Sequence, residues 1–396
     1  MKSFVIKNAS VVTPEETVNN GSIKIEHGII TAIGDDVQDT GLPSIDAKDC
    51  IVMPGIIDIH TDALEREINP RPRADMPIPV AFRELERKMS GCGFTTVFHS
   101  LHVGYKSAEE NIKSKYSRQE LFEKVHALSS GQTLLKNKIH LRFEVSGVYA
   151  YDTCIELIQK GYVSLLSVMD HTPGQGQQSM ERFIDMLVQN GKTEEVAKKE
   201  LDEMLSRPKV EGEKLAALVR FAQENHISVA SHDDDTVEKV KLMQSIGVNI
   251  CEFPITMSAA HYAMQSGMDV VGGASNILRG GSLSDNLNVS DAVKSGAVNV
   301  LCSDYYPPSI LHSIWKLVEE VDIPWNEAVK LTSSNPAKAI GMHSQTGSIE
   351  IGKMADLLVV KSVGGVPLVT HTIVDGNVVS QAAVKKHVQK KEEIWL

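Results

Sequence analysis

Residues 54–73, PGIIDIHTDALEREINPRPR, carry an apolar run into His60 and Asp62. An imidazole and a carboxylate two positions apart on a strand point to the same side, so one strand can offer two ligands to one cation. Other short apolar runs end in the same side-chain types. HLRFEV carries Glu144, and SVMDH ends in Asp170 and His171. SVASH ends in His232, followed by Asp233, Asp234 and Asp235, and VLCSD ends in Asp304. A lone histidine at a strand end is more often a packing or hydrogen-bonding residue than a ligand. Five runs ending this way are hard to assign to chance. Imidazole and carboxylate together suit a first-row divalent metal with open positions. A carboxylate such as Glu144 can bridge two ions, and a bridging water then becomes hydroxide near neutral pH. Asp304 is expected to hold one ion and take the proton from that water. The other reading of Asp304 is a capping or supporting carboxylate.

The elements that must position these groups follow from the pattern of apolar runs. SFVIKNASVVTP, GSIKIEHGIITAIGDD and DCIVMPG read as short strands punctuated by Gly, Asn and Asp. From about Ile51 short apolar runs alternate with amphipathic stretches. The runs are IVMPGIIDIH, TTVFHSL, HLRFEV, YVSLLSVMD, ISVASHD, VNICEFP, DVVGGAS and AVNVLCSD. The helical stretches between them include 80–91, 108–137, 151–160, 236–246, 257–267 and 289–296. Alternating strands and helices imply a parallel sheet, and eight runs predict a (β/α)8 TIM-type barrel. In that fold the C-terminal strand ends converge on one face, which gathers the groups above. One or two further helices follow, and then GSIEIGKMADLLVVKSVGGVPLVTHTIVDGNVV returns to strand-and-turn patterning. The expected organisation is α/β. Residues 1–50 plus 345–396 form a small β-sandwich domain built from both chain termini. Residues 51–344 form the barrel, with a helical insertion at about 179–223. That insertion reads equally as a lid or as a solvated surface excursion.

Composition narrows the functional classes. The chain has 396 residues, enough for a large barrel and a small second domain. A net charge of −11 argues against nonspecific nucleic-acid binding. The start, MKSFVIKNASVVTPEE, lacks the apolar core of a signal peptide, and no apolar run is long enough to cross a membrane. The five cysteines are scattered without C-x-x-C spacing, which fits a reducing, cytoplasmic setting and argues against structural zinc. Cys302 is expected to pack in the core.

The predicted barrel with its flanking β domain, PGIIDIH, the later histidines, SD on the last strand and GSIEIGKMADLLVV near the end resemble the amidohydrolase superfamily. More narrowly, HTDALEREINPRPR, GFTTVFHSLHVGY, HLRFEV, MDHTPGQGQ, SHDDDT and NILRGGSLSDN resemble the PhnM family. Its members are alpha-D-ribose 1-methylphosphonate 5-triphosphate diphosphatases of bacterial phosphonate breakdown. The resemblance covers nearly the whole chain. It implies His60, Asp62, Glu144, His171, His232 and Asp304 as metal ligands, with one or two divalent ions (Zn, Mn or Fe). Asp62 stands where the superfamily usually has a second His, and Glu144 where many relatives have a carboxylated Lys. The superfamily places its bridging residue on the fourth strand, whereas Glu144 falls on the third run. The resemblance therefore implies either a further strand between Leu101 and His140 or the removal of DVVGGAS from the barrel.

Asp62, Glu144 and Asp304 would set about three negative charges against about four positive ones from two divalent ions, and hard carboxylate oxygens make Mn²⁺ credible. A triphosphate would then need further cations. Arg71 and Arg73 follow the first strand, Lys106 follows SLHVGY, and Arg279 sits in NILRGGS. Arg forks match phosphate oxygens, and Gly280-Gly281-Ser282 can bring Ser282 and backbone N–H groups to a phosphate. Each also reads as a solvated loop residue. His102 is expected to touch substrate or cap the rim, as is His99, for which capping is favoured. Asp170 and Asp233 are expected to orient neighbouring imidazoles.

The function the resemblance implies is hydrolysis of a ribose 1-phosphonate 5-triphosphate to the 5-phosphate and pyrophosphate, by metal-hydroxide attack on the α-phosphorus. The expected partner is a small polyphosphorylated sugar phosphonate, with neither nucleic acid nor membrane, and the chain is expected to form a homo-oligomer, a dimer. The alternative is an amidohydrolase acting on a non-peptide C–N bond: a deacetylase, deaminase or cyclic amidase. A third reading, a non-catalytic relative, sits poorly with a full set of ligand-type residues.

Overall fold

A computed structural model of the chain describes all residues except 1–2, 36, 38–40, 72–73, 105–115, 178, 283–285 and 385–396. Eight parallel strands form the central sheet in simple sequence order. They are Ile56–Thr61, Phe94–Val103, Lys136–Glu144, Leu165–Met169, Ser228–His232, Ile250–Glu252, Asp269–Gly273 and Val300–Cys302. The last strand returns to the first. Asp304 N–H donates to the His60 carbonyl at 3.0 Å, and Asp62 N–H donates to the Asp304 carbonyl at 2.7 Å. This closes a (β/α)8 barrel, and the closing bonds lie among the candidate ligands themselves.

Strands from both chain ends form a separate, mostly antiparallel sheet. Phe4–Val12, Thr17–Glu26, Ile29–Gly34 and Cys50–Pro54 come from the N-terminal side, and Leu357–Val363, Val366–Val374 and Asn377–Gln381 from the C-terminal side. Cys50–Pro54 joins the two sets, pairing with Ser10–Val11 on one edge and with Leu357–Lys361 on the other. Ile6, Val11, Ile23, Ile25, Val52, Leu357 and Ile373 make its buried core.

The run IVMPGIIDIH is therefore two strands, not one. It breaks at Gly55, where a β-carbon would meet the Thr95 side chain at 2.2–2.7 Å. Only glycine lets the chain leave one sheet and enter the other so close to the second barrel strand. DVVGGAS is the seventh barrel strand, and no strand intervenes between Val103 and Lys136 among the described residues. Both expectations drawn from a fourth-strand bridging residue are thus overturned: Glu144 ends the third strand.

Helices cover the barrel as periodicity requires. Ile78–Gly91 follows Pro77 and buries Ile78, Ala81, Phe82, Leu85 and Met89. The stretch expected at 108–137 is shorter: the described helix runs Arg118–Ser129 and the third strand already begins at Lys136. In the insertion, Met180–Gln189 and Glu194–Leu205 close on their own small core of Phe183, Leu187, Ala197 and Leu201. The third helix, Gly212–Glu224, instead buries Leu215, Leu218, Val219 and Ala222 in the main core. The extra element is thus a two-helix hairpin. No helix among the described residues is long and apolar enough to cross a membrane.

Candidate active site

Two layers of polar side chains fill the barrel toward its C-terminal end. The lower layer is His60, Ser100, His140, Ser167 and Glu252, all buried. Two residues earlier on three of these five strands stand apolar Phe98, Leu165 and Ile250, whereas the first strand places the buried carboxylate of Asp58 there. His60 Nδ1 lies 3.2 Å from Glu252 Oε1. Ser167 donates to the other Glu252 oxygen, and His140 Nε2 contacts Ser167 Oγ at 2.6 Å. Burial pushes the His60 imidazole well below its ordinary pKa, with the Arg142 charge adding to it. Burial likewise holds His140 at about 3. Both rings are therefore neutral at pH 7; His140 meets serine hydroxyls at both nitrogens, whereas His60, with Nδ1 on Glu252, keeps Nε2 for a cation.

The upper layer sits at the mouth. His60, Asp62 and Asp304 bring ligand atoms within 4.8 Å of one another, and so do His171, His232 and Asp233. Asp62 occupies the N-cap position of the helix Ala63–Ile68, yet its side chain caps nothing. It accepts instead from Arg142 Nη1 at 3.0 Å. Asp304 and Asp233 both adopt left-handed backbone, φ 56° and 54°, a conformation that Asp tolerates better than most residues. Burial raises the Asp304 carboxyl to about 6, with the negative charge of Asp62 adding to it and Arg142 opposing. Burial would also raise Asp233, but the neighbouring His232 charge and the Gln177 hydrogen bond outweigh it, down to about 2. Below the mouth, burial raises Asp58 to about 7, although it accepts from both the hydroxyl and the N–H of Ser303.

The expected residues divide by position. His60, Asp62, His171, His232 and Asp304 meet at the mouth. Glu144 lies below His171, accepting from its Nδ1 at 2.6 Å, and joins neither group of ligand atoms. Asp233 contacts His232 Nδ1 at 3.3 Å, as an orienting carboxylate would. Asp170 turns away from the imidazoles and pairs with Lys209 at 2.7 Å. His99 is buried against Phe82 and bonded to Asn137. Cys302 is buried in the core.

Two adjoining cavities of about 380 and 470 Å³ open over these groups and share Arg142 and His171. Arg66 and His102 line the first, and Arg182 lines the second. His102 is held between Glu65 and Arg118. Arg71, Arg279 and Ser282 line neither cavity. The reason is the helix Ala63–Ile68, which sets Arg66 one turn beyond Asp62 and carries the chain outward before Arg71. Arg279 is exposed and donates to Tyr305 Oη at 3.0 Å. Arg73 and Lys106 lie outside the described residues.

Sequence reasoning missed Arg142, Glu252, Arg66 and Arg182. Two of them carried a usable signal. Arg142 lies between His140 and Glu144 at the same two-residue spacing that joined His60 to Asp62. Glu252 ends an apolar run just as Glu144 does.

The amidohydrolase family pattern matches residues 51–379. The alpha-D-ribose 1-methylphosphonate 5-triphosphate diphosphatase of Escherichia coli (strain K12) is 32% identical over 374 residues, which cover 90% of this chain and 94% of that relative. The imidazolonepropionase of Thermoplasma volcanium is 21% identical over 87% of this chain and 84% of its own length. Among solved structures, the dihydropyrimidinase of Brevibacillus agri NCHU1002 superposes with a TM-score of 0.61 at 14% identity, over 96% of this chain and 95% of that one. The chain belongs to the amidohydrolase superfamily and, within it, to the PhnM family. It is a hydrolase of that class.

Proposed function

We propose that this chain is a divalent-metal-dependent hydrolase of phosphonate catabolism that cleaves a ribose 1-phosphonate 5-triphosphate into the 5-phosphate and pyrophosphate. The observation that carries this reading is the cationic lining of the mouth. Arg66, Arg142 and Arg182 face the cavities that open over His60, Asp62 and Asp304. A neutral amide needs no such lining, whereas guanidinium forks match phosphate oxygens. The similarity to the Escherichia coli diphosphatase supports the same substrate class.

The donor set fits a divalent ion. Imidazoles stand beside carboxylates in three groups, two at the mouth and His60, His140 and Glu252 beneath them, and imidazole with carboxylate suits Zn, Mn or Fe. His60, Asp62 and Asp304 would hold a divalent ion, and His171 and His232 form the neighbouring group. Bound divalent ions supply Lewis acidity toward phosphoryl oxygens and acidify water. The chain's own groups do the rest. Asp304 accepts the proton of the attacking water at its carboxylate. The water oxygen bonds to the α-phosphorus as the bond to the bridging oxygen breaks, and the electron pair leaves with pyrophosphate. Arg66 and Arg182 bind the departing phosphates and offset their charge. Glu144 and Asp233 orient His171 and His232. The partner is a small anionic sugar phosphate, and the reading is of a cytoplasmic homodimer. Five free cysteines support a reducing compartment.

The test is a product assay on two substrate panels. Pyrophosphate release from a ribose 1-phosphonate 5-triphosphate, without ammonia or acetate release from amides, is expected. Amide turnover with no pyrophosphate would overturn the reading in favour of C–N hydrolysis.

A further inference from the structure

Arg142 stands where the two groups of ligand atoms meet. Its Nη1 donates to Asp62 Oδ1 at 3.0 Å and its Nη2 to His232 Nε2 at 3.2 Å. Asp62 belongs to one group and His232 to the other, so a single guanidinium spans both. The strand fixes this placement. His140, Arg142 and Glu144 alternate along the third strand, on one side of it. The Arg142 side chain is 13% exposed, and its Nε lies 3.2 Å from Met169 Sδ.

A two-ion centre holds its ions about 3.5–4 Å apart, and an anionic side chain shared between them offsets their repulsion. The strands beside this gap bring none. Glu144 is engaged with His171 through its side chain and through the His171 N–H. The fourth strand ends in the thioether of Met169, and the next residue, Asp170, is paired with Lys209. Between Asp62 and His232 the chain places a cation instead. Arginine keeps its charge at any working pH, and its planar fork suits two acceptors at once.

We propose that the centre holds one divalent ion, at His60, Asp62 and Asp304, and that Arg142 occupies the place of a second ion. In that place it presents a fixed positive charge to a phosphoryl oxygen. This rests on the metal-dependent reading above. One divalent ion plus one guanidinium carries three positive charges against two negative ones from Asp62 and Asp304. The remaining charge attracts an anion without the cost of assembling a second metal site.

Metal stoichiometry tests this without reference to turnover. The full chain is stripped with chelator, dialysed against excess Mn²⁺ or Zn²⁺, and analysed by elemental analysis and titration calorimetry. Circular dichroism checks the fold of each variant. One equivalent per chain is expected in the wild type. Asp304→Ala weakens that binding about tenfold or more, and His171→Ala leaves one equivalent in place. Arg142→Met keeps the side chain's length, removes its charge, stays at one equivalent, and weakens binding of inorganic pyrophosphate to the metal-loaded chain about tenfold or more. Two equivalents in the wild type would overturn the role of Arg142 while leaving the metal-dependent function standing. So would a single equivalent lost in His171→Ala, or an Arg142→Met variant that binds pyrophosphate as tightly as the wild type. No bound metal at all would overturn this inference and the metal-dependent reading together.

Discussion

Glu252 fixes the orientation of His60. Its carboxylate meets His60 Nδ1 at 3.2 Å, which turns Nε2 toward Asp62, 3.9 Å away. A carboxylate behind an imidazole raises its basicity as a ligand. Glu252→Gln is therefore expected to weaken metal binding about tenfold with little change in melting temperature. Competition against a chelating dye measures this, and unchanged affinity would remove Glu252 from the site. Asp304→Asn is expected to abolish pyrophosphate release while circular dichroism stays native. Near-normal turnover in that variant would remove its proton-accepting role. His60, Asp62, His232 and Asp304 were legible in the sequence because each ends an apolar run, and strand ends converge in a barrel. Arg142 carried the same spacing signal and was overlooked, because arginine inside a barrel mouth contradicts its usual surface placement. Only the strand's alternation, applied with the register to its neighbours, puts it there.

At the scale of elements, the eight strands were readable from their apolar runs, and the misjudged boundaries have physical causes. Lys136 and Lys138 alternate with buried positions at the start of the third strand, so polarity hid four of its residues. Gly55 divides one apolar run between two sheets, a division that depends on contact with Thr95. The second strand carries a titratable group away from the metal-type ligands. Burial lowers His99 from 6.5 to about 4, against a hydrogen bond to Asn137 that raises it. The unfolded chain then binds more protons than the folded one between those values. The stability His99 contributes is complete above pH 6.5 and is lost as pH falls toward 4, by about 3 kcal/mol. Denaturant melts across that range are expected to fall more steeply for the wild type than for His99→Gln. Parallel slopes would contradict this.

At the scale of the molecule, the barrel and the terminal sheet are joined by charge as well as by the chain. Lys136, at the start of the third barrel strand, reaches Asp356 at 2.6 Å and Asp375 at 2.7 Å, both from the C-terminal part of the chain. Burial would lower the Lys136 ammonium, but the two carboxylates outweigh it and raise it. Its stabilisation is thus complete below the ordinary lysine range and is lost only as pH rises through the elevated value. Lys136→Met leaves the buried Asp356 carboxylate uncompensated and is expected to cost about 3 kcal/mol, near the low end for a buried pair because Lys136 is partly exposed. A melting temperature equal to wild type would show the pair to be dispensable. This link was not legible in the sequence, where Lys136 and Asp356 are 220 residues apart. Hydrolysis of a ribose 1-phosphonate 5-triphosphate in H₂¹⁸O, followed by ³¹P NMR, reports which phosphorus the water attacks. Attack at the α-phosphorus predicts pyrophosphate free of label and ¹⁸O in the sugar 5-phosphate. Label in the pyrophosphate, or no pyrophosphate at all, would contradict the account.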